Sequence, residues 1–420
     1  MAGERLEVLI VGAGIGGLTL GLRLHAAGIA CRIFEAAPEI KPLGVGINLL
    51  PHATKELTAL GLQSDLARVA ITTSKIAYYN RFGQLIYNDP CGRHAGYDWP
   101  QFSIHRGDLQ MVLLEAFVQR AGAERVVTAH RCTGVEQDGA AATAHFEHML
   151  TRARLPSRRG LIVVACDGIH SVIRKQFYPD EGPPRYCGLN MWRGVTRCKP
   201  FLDGATMVRV GWHKPAKVLI YPIRDSIDAE GRQLVNWVCD IEQETPIPQR
   251  DWNRQGRLDD FIGALEDWRF PWLDVPAMCR AADQILEYPM MDQDPLPRWS
   301  HGRVTLLGDA AHPMLPRGAN GGAQAILDCT ALADCLRRIA NPVAALKAYE
   351  EQRRPPTTQV VLTNRSQPPD AVLHEVYKRT GDRPFRHIDD VISQDELAFL
   401  LKRYQRVAGF DKERLEAKAG

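Results

Sequence analysis

Residues 12 to 17 read Gly-Ala-Gly-Ile-Gly-Gly, a G-x-G-x-x-G spacing that follows the run Leu6 to Val11 and leads into a helical stretch, Leu18 to Ala27. Each position has a mechanical reason. Gly12 permits a tight turn, Gly14 lets backbone approach a pyrophosphate, and Gly17 lets helix and strand pack closely. Ile15 and Gly16 sit where the helix starts, and there unpaired N–H groups and the helix dipole attract an anion. Glu35 lies 23 residues after Gly12 at the end of the next strand, Cys31 to Phe34, with Ala36 beside it. A carboxylate in that place accepts from ribose hydroxyls and disfavours a 2′-phosphate. These residues point to a tightly held dinucleotide; a glycine-rich turn without a ligand is the alternative.

The elements around the turn form one β-α-β unit within the first 35 residues. Regular winding then stops. Gly44-Val-Gly-Ile-Asn reads as a loop, Ala53 to Leu62 and Leu109 to Arg120 as helices, and Ile76 to Tyr79 with Gln84 to Tyr87 as a hairpin. Leu161 to Ala165 is a buried strand closed by Asp167-Gly168. From Tyr186 to Met291 several alternating runs predict a mainly antiparallel sheet, interrupted by a helical pattern over Leu258 to Trp268. Seven of the eight tryptophans fall between Trp192 and Trp299, so this sheet is the expected aromatic wall for a planar ligand. Packing within the sheet core accounts for those tryptophans equally well. A further buried strand, Val304 to Leu307, ends at Gly308-Asp309. Long helices follow over Gly322 to Ile339 and Val343 to Arg354, and then a charged helical tail from Asp370.

A nicotinamide dehydrogenase would continue winding after Glu35, and only one such fingerprint occurs in the chain. Both facts favour bound FAD over NAD. Three further segments resemble those of the single-component flavoprotein aromatic hydroxylases, the class A flavin monooxygenases. Ala165-Cys-Asp-Gly-Ile-His-Ser-Val-Ile-Arg174 is similar to their Asp-Gly segment, Gly308-Asp-Ala-Ala-His-Pro313 to their Gly-Asp segment, and His105-Arg-Gly-Asp-Leu109 to their FAD-contacting arginine region. Within the family, Pro42-Leu-Gly-Val-Gly-Ile-Asn48, Met191-Trp-Arg-Gly-Val195 and Gly318-Ala-Asn-Gly321 are most similar to members acting on phenazine carboxylates. Salicylate hydroxylases are more distant.

The resemblance implies an α/β fold: a Rossmann-like FAD-binding domain assembled from 1–75, 103–183 and 292–365, an inserted mainly antiparallel β substrate domain from 76–102 and 184–291, and C-terminal helices over 366–420. It implies tightly bound FAD, NADH or NADPH as co-substrate, and O2 added at flavin C4a as a hydroperoxide that hydroxylates an electron-rich ring. The nearest members add loss of a carboxylate as CO2. Asp309 is implied to accept from the FAD ribitol, although a turn cap would also suit it. Arg106 is implied to pair with the pyrophosphate as a forked donor, a surface arginine being the alternative. Asp167 is implied to support FAD and nicotinamide docking, and Gly46 and Pro316 to flank the flavin. Gly321 and Gly322 open a helix whose amides suit an anionic reduced flavin. Ala319, Asn320 and Ala323 stand where the family has Gly, Gln and Asn, which leaves open which amides touch the ring.

Arg193, Arg209 and Arg224, on or beside predicted strands, can pair with a substrate carboxylate or remain solvated strand residues. Tyr221 and Pro313 are expected near the substrate. His312 is expected at the flavin edge as a proton relay. G-x-S-x-G, H-E-x-x-H and P-loop patterns are absent, and His145-x-x-His148 lacks a third metal ligand. The Trp-x-Trp-x-Ile-Pro segment of flavin halogenases is missing, as is the second fingerprint of Baeyer–Villiger oxygenases. A non-catalytic FAD-fold escort would have little reason to keep both aspartate segments.

Composition excludes other classes. In 420 residues, 52 Lys+Arg against 49 Asp+Glu give a net charge of +3 with only short basic runs, which argues against a nucleic-acid partner. The longest apolar runs fall short of a bilayer span, and the ten scattered cysteines contain no C-x-x-C. A cytoplasmic enzyme with free thiols, a small aromatic substrate, no membrane insertion and room for homodimerisation is the expectation.

Overall fold

Val8–Val11 is buried at every position, as a strand flanked on both sides must be. In the computed structural model, which describes residues 6–246, 254–366 and 370–417, it is central in a six-stranded sheet. The order is Ser300–His301, Val304–Leu306, Ile162–Ala165, Val8–Val11, Cys31–Phe34, Val126–Val127. All pairs are parallel except Ser300–His301 with Val304–Leu306. Helix Ile15–Ala26 packs against Arg106–Ala121 and Asn320–Arg338 and buries the apolar stripe Leu18, Leu20, Leu22 and Leu24. The fold is thus a Rossmann-like α/β unit whose parallel strands come from distant parts of the chain.

A second, seven-stranded sheet has the order Ile285–Asp292, Arg185–Cys198, Gln233–Glu242, Ala216–Arg224, Thr206–Trp212, Lys75–Tyr79, Leu85–Pro90. It is antiparallel apart from the Thr206–Trp212 and Lys75–Tyr79 pair. A three-stranded sheet of Gly46–Leu49, Phe102–His105 and Ala70–Thr72 connects the two. Gly46–Leu49 is therefore a strand where its glycines suggest a loop. Its register against Phe102–His105 overrides the low strand propensity of glycine.

The helical expectation over Leu258 to Trp268 is corrected to two 3-10 turns, Leu258–Asp260 and Ile262–Leu265. Their purpose is to press Phe261, Leu265 and Trp268 onto the sheet. Three strands, His130–Gln137, Ala142–His148 and Arg154–Gly160, form a small antiparallel sheet that period-two patterning does not reveal. Both pairings shift register, and Arg154–Gly160 is mostly exposed. Arg159 on it pairs with Asp138 at 2.8 Å, and Arg152 just before it pairs with Glu147 at 2.8 Å. The tail forms helices Ala371–Thr380, Gln394–Ala408 and Lys412–Ala417. All ten cysteines are free, and no helix among the described residues is long and apolar enough to cross a membrane.

Candidate active site

Gly12 leaves the central strand at φ +104°, and a Cβ there would run into the backbone carbonyl of Cys166. A Cβ on Gly17 would collide with the carbonyl of Gly12, whereas Gly14 faces open space. The first and last glycines therefore serve the turn, and the middle one leaves a place for a ligand. No side chain caps helix Ile15–Ala26, so its first-turn amides have no built-in acceptor. Glu35 is fixed from behind: one carboxylate oxygen accepts from Ala13 N at 2.7 Å and the other from Ala37 N at 2.8 Å.

A cavity of about 940 Å³ begins at Gly14, Ile15 and Gly16 and runs between the two large sheets. Of the residues singled out in the sequence, Gly46, Arg106, Asp309, Pro313, Pro316, Gly321, Gly322, Arg193, Arg209 and Tyr221 also line it. Gly12, Gly17, Glu35, Ala36, Asp167, Arg224 and His312 do not. Asp167 accepts from Val172 N at 3.0 Å through Oδ2, while its buried Oδ1 has no partner. Burial pushes its pKa up. Asp167 thus stands behind the glycine turn, its Cα 3.2 Å from where a Cβ on Gly12 would be.

The loop before helix Asn320–Arg338 presents the opposite wall. Asp309 is exposed to the cavity, and a Cβ on Gly321 would stand 3.9 Å from its Oδ1. Ala319 takes φ +55° and ψ +33°, a left-handed conformation that costs a residue with a Cβ more than it would cost glycine. Asn320 is buried, and its Nδ2 donates to the Gly318 carbonyl at 3.0 Å and to Tyr404 Oη at 2.7 Å.

His312 does not line the cavity: it is 3 % exposed, with Nε2 2.6 Å from Asp328 Oδ2. Asp328, fully buried, also accepts from Arg353 Nε at 2.7 Å and Gly308 N at 3.3 Å. Burial would raise the Asp328 pKa, but the His312 and Arg353 charges outweigh it and hold the carboxyl low. This cluster braces the Gly308-Asp309 turn from behind. Arg224 takes the solvated alternative: it lies at the surface, 3.4 Å from Asp108.

Among the described residues no tryptophan lines the cavity, and packing in the sheet core accounts for them. Trp192, Trp237 and Trp268 pack with Phe261 on the other face of the seven-stranded sheet. Side chains alternate along a strand, so Met191 and Arg193 face the cavity while Trp192 between them faces away. By the same alternation Met207 and Arg209, and Lys217, Leu219 and Tyr221, line the cavity. The two arginines differ. Arg193 donates from Nη2 to the Gly46 carbonyl at 2.8 Å, and its buried Nε has no partner. Arg209 is paired with Asp370.

Several lining residues carry no motif. Asp89 is one, with burial pushing its pKa up to about 6 against the opposing pull of Arg209. Tyr78, Lys217 and Asp240 line the cavity from the sheet, and Asp370, Tyr404 and Phe410 reach it from the tail. Alternation could have placed the sheet residues; nothing local in the sequence brings the tail to the cavity.

Residues 5–247 and 283–364 match a family described as FAD binding domain. The chain is 43% identical over 363 residues to the phenazine 1,6-dicarboxylic acid hydroxylase of Lysobacter antibioticus, covering 86% of this chain and 89% of that one. It is 30% identical over 374 residues to the 3-hydroxybenzoate 6-hydroxylase of Polaromonas naphthalenivorans, with 86% of each chain covered. In fold it resembles the Klebsiella pneumoniae protein HpxO solved with FAD and uric acid: TM-score 0.72 at 23% identity, over 98% of this chain and 94% of that one.

Proposed function

The chain belongs to this family of FAD-dependent aromatic hydroxylases, and we propose that it hydroxylates a carboxylated heteroaromatic ring of phenazine size, with loss of the carboxylate as CO2. As a monooxygenase of this family it uses FAD, NAD(P)H and O2. Bound FAD, reduced by the nicotinamide, supplies the chemistry that puts one oxygen atom of O2 onto an electron-rich ring. The chain's own residues bind, orient and exclude water.

The observation that carries this reading is the cavity's two-sided lining. On one side are Gly14, Arg106, Asp309, Gly321 and Gly322, which suit a pyrophosphate, ribitol hydroxyls and an electron-rich ring edge. Opposite stand Met191, Met207, Leu219, Leu286 and Met290, an apolar surface that suits a flat ring and keeps water out. Arg193 projects from that surface without a carboxylate partner among the described residues. We assign it to the substrate carboxylate, with Tyr221 and Pro313 setting the ring's position. In the same reading 1–75, 103–183 and 292–365 form the FAD domain and 76–102 with 184–291 the substrate domain. The enzyme works in the cytoplasm, with a site complete within one chain even if it forms a homodimer.

The test is a panel of aromatic and heteroaromatic carboxylates scored for stimulated NAD(P)H oxidation, hydroxylated product and released CO2. Phenazine carboxylates should give all three. Oxidation without hydroxylated product from every compound would refute the assignment.

A further inference from the structure

The sheet wall of the cavity carries a second cationic group besides Arg193, and it is already neutralised. Arg209 and Lys217 stand on adjacent, paired strands and both line the cavity. Asp370 lies between them: Oδ1 takes Arg209 Nη1, and Oδ2 takes Lys217 Nζ at 2.7 Å. Lys217 also meets Asp240 at 2.8 Å. The four side chains are 11%, 7%, 5% and 6% exposed for Arg209, Lys217, Asp370 and Asp240. Two cations and two carboxylates therefore cancel in a nearly dry place, where an uncancelled charge would dominate what can bind. His213 beside them is held neutral, because burial and then Lys217 push its pKa down to about 2.

Asp370 is not part of the sheet. It stands at the start of helix Ala371–Thr380, beyond residue 364 where the family match ends. Its geometry is that of a ligand: one carboxylate bridging a guanidinium and an ammonium that face a cavity suited to aromatic acids. Among the described residues Asp370 is the one carboxylate in ion-pair contact with Arg209, Asp89 acting on it only at longer range, so removing the Asp370 charge would leave a guanidinium open to an anion.

We propose that Asp370 determines specificity: it is an internal carboxylate that fills the anion site of Arg209 and Lys217 and so directs the substrate's carboxylate to Arg193. The inference rests on the reading of the seven-stranded sheet as the substrate wall. It predicts that the bare site accepts a second carboxylate once Asp370 is uncharged, turning the cavity toward more anionic rings.

The experiment is calorimetric titration of the FAD-loaded protein with phenazine-1-carboxylate and with its neutral carboxamide, near neutral pH. Asp370→Asn keeps the shape and one of the two acceptor oxygens while removing the charge and turning the other position into an amide donor. It should tighten the carboxylate by on the order of tenfold, with the carboxamide changed by less than about threefold. Lys217→Met leaves the cluster with two carboxylates, Asp240 and Asp370, and one cation, and should weaken the carboxylate relative to the carboxamide by a similar factor. A carboxylate-to-carboxamide ratio that stays constant in both variants overturns the proposal, as does a parallel shift of the two ligands, which is what a purely structural role would give. If Asp370→Asn does not retain FAD, the ratio in Lys217→Met decides alone. Failure of both ligands to bind the unsubstituted protein would overturn the substrate-wall reading, and this proposal with it.

Discussion

Asp328→Asn isolates what holds the Gly308-Asp309 turn in place. Asp328 is fully buried and receives three groups: His312 Nε2 at 2.6 Å, Arg353 Nε at 2.7 Å and Gly308 N at 3.3 Å. The Arg353 side chain is only 11% exposed, so neutralising its partner leaves a buried cation without a counter-charge. Removing one member of such a pair costs about 3–5 kcal/mol, and the lower figure applies here because the amide oxygen still accepts. Since the folded pKa of Asp328 lies below its ordinary 3.8, its contribution is complete above that value and is lost only as the pH falls through the lower folded one. The full loss is therefore expected at neutral pH. Urea unfolding of the FAD-loaded protein should show it, together with weaker FAD retention, because Asp309 follows Gly308 directly. His312→Asn removes only one of the three contacts, should cost about 1 kcal/mol, and should leave the pH–rate profile unchanged. A loss below about 1 kcal/mol for Asp328→Asn, or a pH–rate shift for His312→Asn, would refute the bracing role.

Gly12→Ala should abolish FAD binding, since the residue combines φ +104° with a Cβ aimed at the Cys166 carbonyl; the flavin content of the purified protein checks it. Tyr404→Phe removes the hydroxyl that donates to buried Asn364 Oδ1 at 2.8 Å and receives Asn320 Nδ2 at 2.7 Å. It should cost about 1–3 kcal/mol and weaken FAD affinity by loosening the loop, read by thermal unfolding and flavin fluorescence. Asp89→Asn should stabilise the protein near neutral pH. With a folded pKa raised from 3.8 to about 6, the native state holds a proton the unfolded chain has lost, so stability falls as pH rises through that window. About two pKa units correspond to at most ~3 kcal/mol, less what water in the cavity restores; denaturation at pH values on either side of the window measures it.

The glycine turn and its acidic partner were legible because they are local in sequence. Gly12, Gly14 and Gly17 sit in one turn, and Glu35 follows at the end of the next strand. The substrate half was only partly legible. Clustered tryptophans are visible as composition, but the face they occupy depends on a period of two: Trp192 faces the core because Met191 and Arg193 face the cavity. His312 adjoins a cavity-lining motif in sequence, yet the 3-10 turn Gly308–Ala310 carries it behind the wall to Asp328. The tail was opaque for a different reason. Asp370 meets Arg209 across 161 residues, and Tyr404 meets Asn320 across 84, pairings that no local pattern encodes.

We propose that this chain inserts one atom of O2 into an aromatic ring at a flavin held between the glycine turn and the seven-stranded sheet. Turnover with NAD(P)H and a phenazine carboxylate under isotopically heavy oxygen gas, followed by mass spectrometry of the product, tests it most directly. One heavy oxygen atom in the ring hydroxyl is predicted. A product whose new oxygen comes from water, or nicotinamide oxidation that yields only hydrogen peroxide, would contradict it.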